Sequence, residues 1–399
     1  MSQVRAVRSP RVPEVDGLRG IAILLVLCHH FVWVPRPASL PDYVANSVST
    51  LSWIGTDILL VLAGFLITRT LLEVKDSPAP VSRFYLRSAM RLIPAYAAFL
   101  LLYFHVVLPL VGDRFGFESR AAGEELWFWI PLSNWRSISG LLPFATSHLW
   151  AVALLLQLAT LWPLVMRLAG ESRLGKVCLG CICGALFLRV VYAGALSPET
   201  IRRLTPMRLD TMAFGAIAAL CLRRGDWFDH AQRWVGVVAI AGMVAGGALL
   251  LTAGDPGPSS VSMATLGLTV LPLLVACAIF YAISQCAAQD VSASLLGSDW
   301  LGRLGRNSYA IYLVHYPLSI YAAAFWSDLI RSFGTRITWG VALMSFILGA
   351  LVSYALALVV WNAIERPFYR MKAHVPYWPL PEEERVETVE IETVSTSTW

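Results

Sequence analysis

Arg19 and His30 stand eleven residues apart in one apolar stretch, Val12–Trp33, which also holds Asp16 and His29. At 1.5 Å per residue, a helix separates that guanidinium from that imidazole by roughly 16 Å, about half the hydrocarbon thickness of a bilayer. Ionisable groups at membrane depth cost about 3 kcal/mol each unless they are paired or face water, so they are functional candidates by default. Asp57, His148, Arg208 and Asp210 fall near the starts of further apolar runs. A carboxylate beside a histidine orients the ring and raises its basicity, which is what a general base for a hydroxyl needs. Asp57 with His30 or His148 therefore reads as an acid/base pair. The competing reading makes Asp57, Arg208 and Asp210 a buried ion-pair network that only fixes helix packing. His105, His230 and His374 read as bystanders.

A second group is purely cationic. Arg83, Arg87 and Arg91 recur at i, i+4 and i+8, which puts them on one helical face. Planar forked donors suit phosphate groups, although a basic patch against lipid headgroups uses the same residues.

These groups need long helices to position them, and the composition supplies them. The chain has 399 residues, 57% hydrophobic and only 14% charged, with mean hydropathy +0.63. So much apolar surface does not fit soluble cores, and the runs recur from end to end. The fold class is an all-α, polytopic integral membrane protein in one domain. About ten transmembrane helices are expected, near residues 18–35, 51–72, 92–111, 148–167, 177–196, 206–222, 234–252, 261–284, 308–326 and 337–364. With the N-terminus inside, 21 Lys and Arg fall on cytoplasmic segments against 9 outside, so both termini are read as cytoplasmic. That sidedness puts Arg19 and the three arginines near the cytoplasmic face and His30 in the outer half.

The domain reading is a basic cytoplasmic segment over residues 1–14, a membrane domain over 15–370 and a cytoplasmic tail over 371–399, disordered after Pro381. Polar residues interrupt the first apolar run, so it reads as a retained span rather than a signal peptide. The longest polar connection, Gly112 to Thr146, carries Trp127, Trp129 and Trp135 and suits the headgroup level. The net charge of +5 is small and does not imply nucleic acid. The seven cysteines read as packing residues, because Cys178, Cys181 and Cys183 lack a second ligand pair; neither a disulfide framework nor a metal is expected.

Taken together the motifs resemble the membrane-bound acyltransferase 3 family, which includes O-antigen, peptidoglycan and macrolide O-acyltransferases. The elements are Asp16-Gly17-Leu18-Arg19-Gly20 followed by His30; Gly64-Phe65-Leu66-Ile67; Phe84-Tyr85 with the arginines and Pro94; His148-Leu149-Trp150; Trp162-Pro163; Arg208-Leu209-Asp210; Ser308-Tyr309, Ile311-Tyr312-Leu313 and His315; and Glu365-Arg366-Pro367. They cover Val15 to Phe368 in the family's order.

The resemblance implies transfer of an acyl group, commonly acetyl, from acyl-CoA to a hydroxyl of a glycan, a lipid-linked sugar or a secondary metabolite. The expected setting is the bacterial inner (plasma) membrane, and the expected partners are membrane lipid, a glycan or small-molecule acceptor and an acyl-accepting partner protein. No soluble transferase module is expected after the last span. The family's arginine-to-histidine spacing selects His30 rather than His29, with Arg19 on the donor side and Arg83, Arg87 and Arg91 holding CoA. His30, Arg19, Asp57 and His148 are then the catalytic candidates, and Trp150, Gln157, Arg208, Asp210 and His315 the acceptor cavity. Three departures from the family stand out: Leu155 and Leu156 replace an acidic pair, Ala63 a serine and Ser88 an arginine. Asp57 and Gln157 remain as substitutes for the acidic pair beside His30. Two rival readings are a transporter or flippase for a polar lipid-linked substrate, and a catalytically inactive family member.

Overall fold

In lipid an apolar run has to satisfy its own backbone, and this chain does so with helices. The computed structural model describes residues 12–115, 123–136, 138, 144–253, 257, 259–286, 295–333 and 336–377, and among them all regular structure is helical. The N-terminal residues 1–11 and most of the expected tail, 378–399, lie outside the described residues.

The chain opens with α1 (Pro13–Phe31), a short α2 (Leu40–Leu51), α3 (Ile54–Glu73) and α4 (Pro80–Leu102). Helix α4 continues through a π turn, Tyr103–Val107, into α5 (Leu108–Phe115). Two short helices, α6 (Glu125–Trp129) and α7 (Ser133–Arg136), and a 3-10 turn, Phe144–Leu149, lead into α8 (Trp150–Tyr192). Then come α9 (Pro198–Arg203), the turn Thr205–Arg208, α10 (Leu209–Arg223) and α11 (Gly225–Thr252). A π turn at Met263–Gly267 opens α12 (Leu268–Cys286), followed by α13 (Asp299–Arg306), α14 (Ser308–Ser332) and α15 (Trp339–Val360). A last π turn, Trp361–Glu365, joins α15 to α16 (Arg366–Ala373).

Among the described residues, six helical stretches are long and apolar enough to cross a membrane: Leu40–Glu73, Pro80–Gly112, Ala145–Tyr192, Gly225–Thr252, Met263–Ser284 and Trp339–Lys372. The chain is a multi-pass membrane protein. In α11 the most apolar window has mean hydropathy 2.2 while only 6% of it is buried inside the protein, the pattern of a helix facing lipid. Helix α8 is interrupted at Gly170, whose φ of 67° and ψ of 162° are open to glycine and strained for other residues, so it consists of two arms.

Close helix contacts organise the centre. A Cβ on Gly17 of α1 would lie 1.9 Å from the Leu296 carbonyl oxygen, and one on Gly305 of α13 would lie 1.9 Å from that of Asp16. Small residues on both helices thus let α1 and α13 pack backbone to backbone, which is what the glycines around Arg19 do. Helix α3 packs against α10 and α1, and α1 also against α14 and α15.

Two local structures differ from the expectation. The proline-rich connection after α1 contains α2, started by a capping box in which Ser39 and Asp42 bond each other's backbone N–H. The Asp42 carboxylate also accepts the Trp339 N–H at 2.8 Å, so α2 holds the start of α15. Residues 371–377, assigned to the tail by sequence, complete α16 and fold back onto α4 as a strap.

Candidate active site

Arg19 and His30 sit at opposite ends of the uninterrupted helix α1 and open onto two different cavities. At its end Arg19 hydrogen-bonds the Ser308 hydroxyl at 2.9 Å and pairs with Asp16 at 3.3 Å.

The first cavity, about 220 Å³, lies between α1, α3, α4, α8 and α14. Arg19, Arg87, Arg91 and Lys372 line it together with apolar wall residues such as Leu59, Leu66, Ile67 and Leu155. Ala63 and Leu155, two of the departures from the family pattern, are therefore wall positions here, and both make the wall more apolar. The three arginines of α4 are not equivalent. Arg87 and Arg91 line the cavity, whereas Arg83 donates to the Tyr377 carbonyl of the strap at 2.5 Å. Arg87 also donates to the Lys372 and Val375 carbonyls at 2.9 and 2.6 Å and lies 4.8 Å above the Tyr377 ring.

The second cavity, about 190 Å³, is a histidine chamber lined by His29, His30, His148, Trp53, Trp150, Glu199, Arg202, Arg203 and Tyr316 among others. His315 stands behind this wall, with ring centroids 5.2 Å from His30 and 5.4 Å from His148. Hydrogen bonds fix three of the four imidazoles. His29 Nδ1 faces the Ser49 carbonyl at 2.9 Å, His148 Nε2 the Leu313 carbonyl at 3.1 Å, and His315 Nδ1 the Tyr312 carbonyl at 2.7 Å. A carbonyl only accepts, so each of these nitrogens carries hydrogen, and the opposite nitrogen of a neutral ring presents a lone pair. In His148 and His315 that second nitrogen is buried without a partner. His30 makes no such bond among the described residues; its ring touches His29, His315 and Tyr316 edge-on or tilted, at 4.8 to 5.2 Å. Of the cluster, His30 is the imidazole left untied at the chamber wall.

Thr56 and Tyr312 line both cavities. The Tyr312 hydroxyl donates to the His148 carbonyl at 3.2 Å, so a phenol and a hydroxyl form the partition between the arginine-lined space and the histidines.

Asp57 does not join this cluster. It forms a fully buried ion pair with Arg208 that ties α3 to the turn before α10. Arg189 does the same for α8: it pairs with Asp210 at 2.7 Å and donates to the Met207 and Thr265 carbonyls and the Thr269 hydroxyl. Neither pair lines either of these two cavities, so the packing reading of Asp57, Arg208 and Asp210 describes their geometry, and the expected Asp57–histidine pair is absent among the described residues. Gln157 is likewise a tie. Its amide nitrogen donates to the Pro131 carbonyl and the Asn134 side chain at 2.8 Å each, and its oxygen accepts from Trp135 and Thr205. Through it the tryptophan-bearing segment docks on α8 beside the chamber. Several other motif residues are also ties: Trp162 to Thr68 at 2.8 Å, Tyr309 to the Leu92 carbonyl at 2.9 Å and Tyr85 to the Thr160 carbonyl at 2.6 Å.

Residues 12–361 match the acyltransferase domain family. The chain belongs to this family of acyl-transferring enzymes. Among its relatives, the putative peptidoglycan O-acetyltransferase YrhL of Bacillus subtilis is 26% identical over 382 residues, covering 89% of this chain and 54% of that protein. The peptidoglycan O-acetyltransferase OatA of Listeria monocytogenes is 25% identical, covering 77% of this chain and 49% of its own length. The O-acetyltransferase OatA of Staphylococcus aureus is 22% identical, over 80% and 52% respectively. The chain thus spans about half the length of these relatives. No solved structure matches it.

Sequence reasoning passed over Arg202, Tyr316, His29 and the Thr56–Tyr312 partition. One local signal was available: Tyr312 stands three residues before His315 and four before Tyr316, so its hydroxyl shares a side of α14 with each of them.

Proposed function

We propose that this protein is an integral-membrane O-acyltransferase that takes an acyl group, acetyl by analogy with the relatives' names, from acyl-CoA to a hydroxyl of a cell-wall glycan. The observation that carries the reading is the pair of cavities meeting at Thr56 and Tyr312, with cations around one and an untied histidine on the other. Both walls draw on α3, where Thr70 and Thr56 lie fourteen residues apart, about 21 Å along the helix. That length accommodates an extended phosphopantetheine arm. The phosphates of CoA meet Arg87 and Arg91, Arg19 holds the arm, and the thioester arrives at the partition.

His30 then takes the proton of the acceptor hydroxyl as its oxygen attacks the thioester carbonyl. The C–O bond forms, the C–S bond breaks, and the CoA thiolate leaves with the proton that His30 held. His148 and His315, anchored by backbone carbonyls, position the His30 ring and carry no proton of the reaction. A transport passage would need polar walls along the arginine-lined space; Leu59, Leu66, Ile67 and Leu155 there favour an apolar arm instead.

Ten crossing helices with both termini cytoplasmic fit this route. The two arms of α8 count as two crossings, and α1, α10 and α14 add three: α1 is interrupted by Glu14, Asp16 and Arg19, α10 is only 15 residues long, and α14 is made less apolar by its tyrosines, His315 and Pro317. CoA then enters from the cytoplasm and the acceptor from the outer side of the bacterial inner membrane. The test is to incubate purified protein in nanodiscs with radiolabelled acetyl-CoA and peptidoglycan fragments. Acceptor-dependent CoA release and label on the glycan are expected, abolished in His30→Ala. Normal transfer by a well-folded His30→Ala would defeat the proposal.

A further inference from the structure

Arg202, in the last turn of α9, is a guanidinium in the chamber wall, and among the described residues no carboxylate forms an ion pair with it. Its carbon lies 5.0 Å from the centre of the Trp150 ring and 5.2 Å from that of Trp53, so aromatic rings flank it. Its Nε is buried with no hydrogen-bond acceptor. Glu199 pairs with Arg203 at 3.0 Å and Asp210 with Arg189, while Asp57 pairs with Arg208 through one oxygen, keeps its other oxygen buried without a hydrogen-bond partner, and acts on Arg202 only through its charge. The other polar groups of the chamber are imidazoles and hydroxyls.

Arg202 is half-buried, and shutting its Nε away without an acceptor is costly; the two indole rings offset only part of that cost. Stacked rings cover the faces of a guanidinium and leave its in-plane N–H edge, which matches the two oxygens of a carboxylate or a phosphate. The same chamber holds His30, the base assigned above. CoA does not supply this anion, because its phosphates are placed at the arginine-lined end, about 21 Å away along α3.

We propose that Arg202 is the receptor for an anionic group, a carboxylate or a phosphate, that the acyl acceptor carries close to the hydroxyl being acylated. The acceptor is then a sugar acid or a sugar phosphate rather than a neutral sugar. This rests on reading the histidine chamber as the acceptor site. Trp53 and Trp150 hold the guanidinium in orientation.

The test measures binding rather than turnover. Isothermal titration of the nanodisc-embedded protein, without donor, compares glucuronate, glucose 6-phosphate and glucose. At least one anionic sugar is expected to bind about tenfold or more tightly than glucose, as charge-assisted bonds to a planar fork allow. Preference for glucuronate marks a carboxylate acceptor, and preference for glucose 6-phosphate a phosphate. Arg202→Gln is expected to reduce the anionic sugar to the affinity of glucose, and Arg202→Lys to recover part of the difference. CoA affinity stays unchanged in both variants. Equal binding of all three sugars by the wild-type protein overturns the proposal, with no variant needed. So does an anion preference that survives in Arg202→Gln. If sugars bind as expected but no acyl transfer is detected, the catalytic reading fails and the anion site stands.

Discussion

The two cavities distribute charge in opposite ways. In the arginine-lined cavity most wall residues are apolar, and Arg19, Arg87, Arg91 and Lys372 supply the charge. In the histidine chamber the polar groups are the walls themselves, and only Trp53, Trp150 and Val26 are apolar among the residues that line it alone or with the partition. A space of the first kind grips a ligand by its charged head and shelters an apolar arm; a space of the second kind binds a hydroxylated, polar molecule along its whole surface. The contrast also sorts the buried charges. Asp57–Arg208 and Arg189–Asp210 lie outside both cavities and join helices, while Arg19, His30 and Arg202 face space.

The largest effects should separate chemistry from packing. His30→Ala should lower kcat by about 10²- to 10⁴-fold, the usual worth of a general base, while the melting temperature stays close to wild type. Asp57→Ala should do the reverse, leaving Arg208 as an unpaired buried charge and destabilising the fold by about 3–5 kcal/mol, read as a lower melting temperature in detergent. A catalytic collapse in Asp57→Ala with unchanged melting would restore Asp57 as the partner of His30. Arg87→Ala should weaken CoA binding by roughly 10- to 100-fold, in line with about 1.5–3 kcal/mol for hydrogen bonds to a charged group. A titration of CoA against increasing salt should show a shallower dependence in this variant.

The smallest effect concerns the segment docked by Gln157. The hydrogen bonds and charge of Arg136, at 2.7 and 2.8 Å, hold the Glu124 carboxyl below the ordinary glutamate range. A depressed carboxylate contributes stability above its unfolded value of about 4.3 and loses it as pH falls through the folded value. Tryptophan fluorescence and protease sensitivity of residues 124–136 should therefore change only on acidification below about pH 4. A change near neutrality would point to another group.

Much of this was readable in the residues. The helical class, the apolar runs, the separation of Arg19 from His30 and the shared face of Arg87 and Arg91 follow from periodicity and rise per residue, which are local properties. The partners of Asp57 and Asp210 were not readable, because each ion pair joins residues from different helices. Arg202 was invisible for the same reason. Its meaning comes from Trp53 and Trp150, which sit in separate parts of the sequence. Helix α2 was hidden by the prolines at its edge, although Ser39 and Asp42 carry a capping-box spacing. His29 was set aside because the family's spacing selects His30; it points about 100° from His30 around the helix, yet the chamber is wide enough to be lined by both.

The division of labour between the cavities is tested most directly by steady-state kinetics of acetyl-CoA turnover for Arg87→Ala and His30→Ala side by side, in the same nanodiscs and with the same glycan acceptor. The expected split is a raised KM for acetyl-CoA with nearly normal kcat in Arg87→Ala, and a collapsed kcat with nearly normal CoA binding in His30→Ala. Turnover retained in His30→Ala, or the same parameter moved by both substitutions, would contradict it.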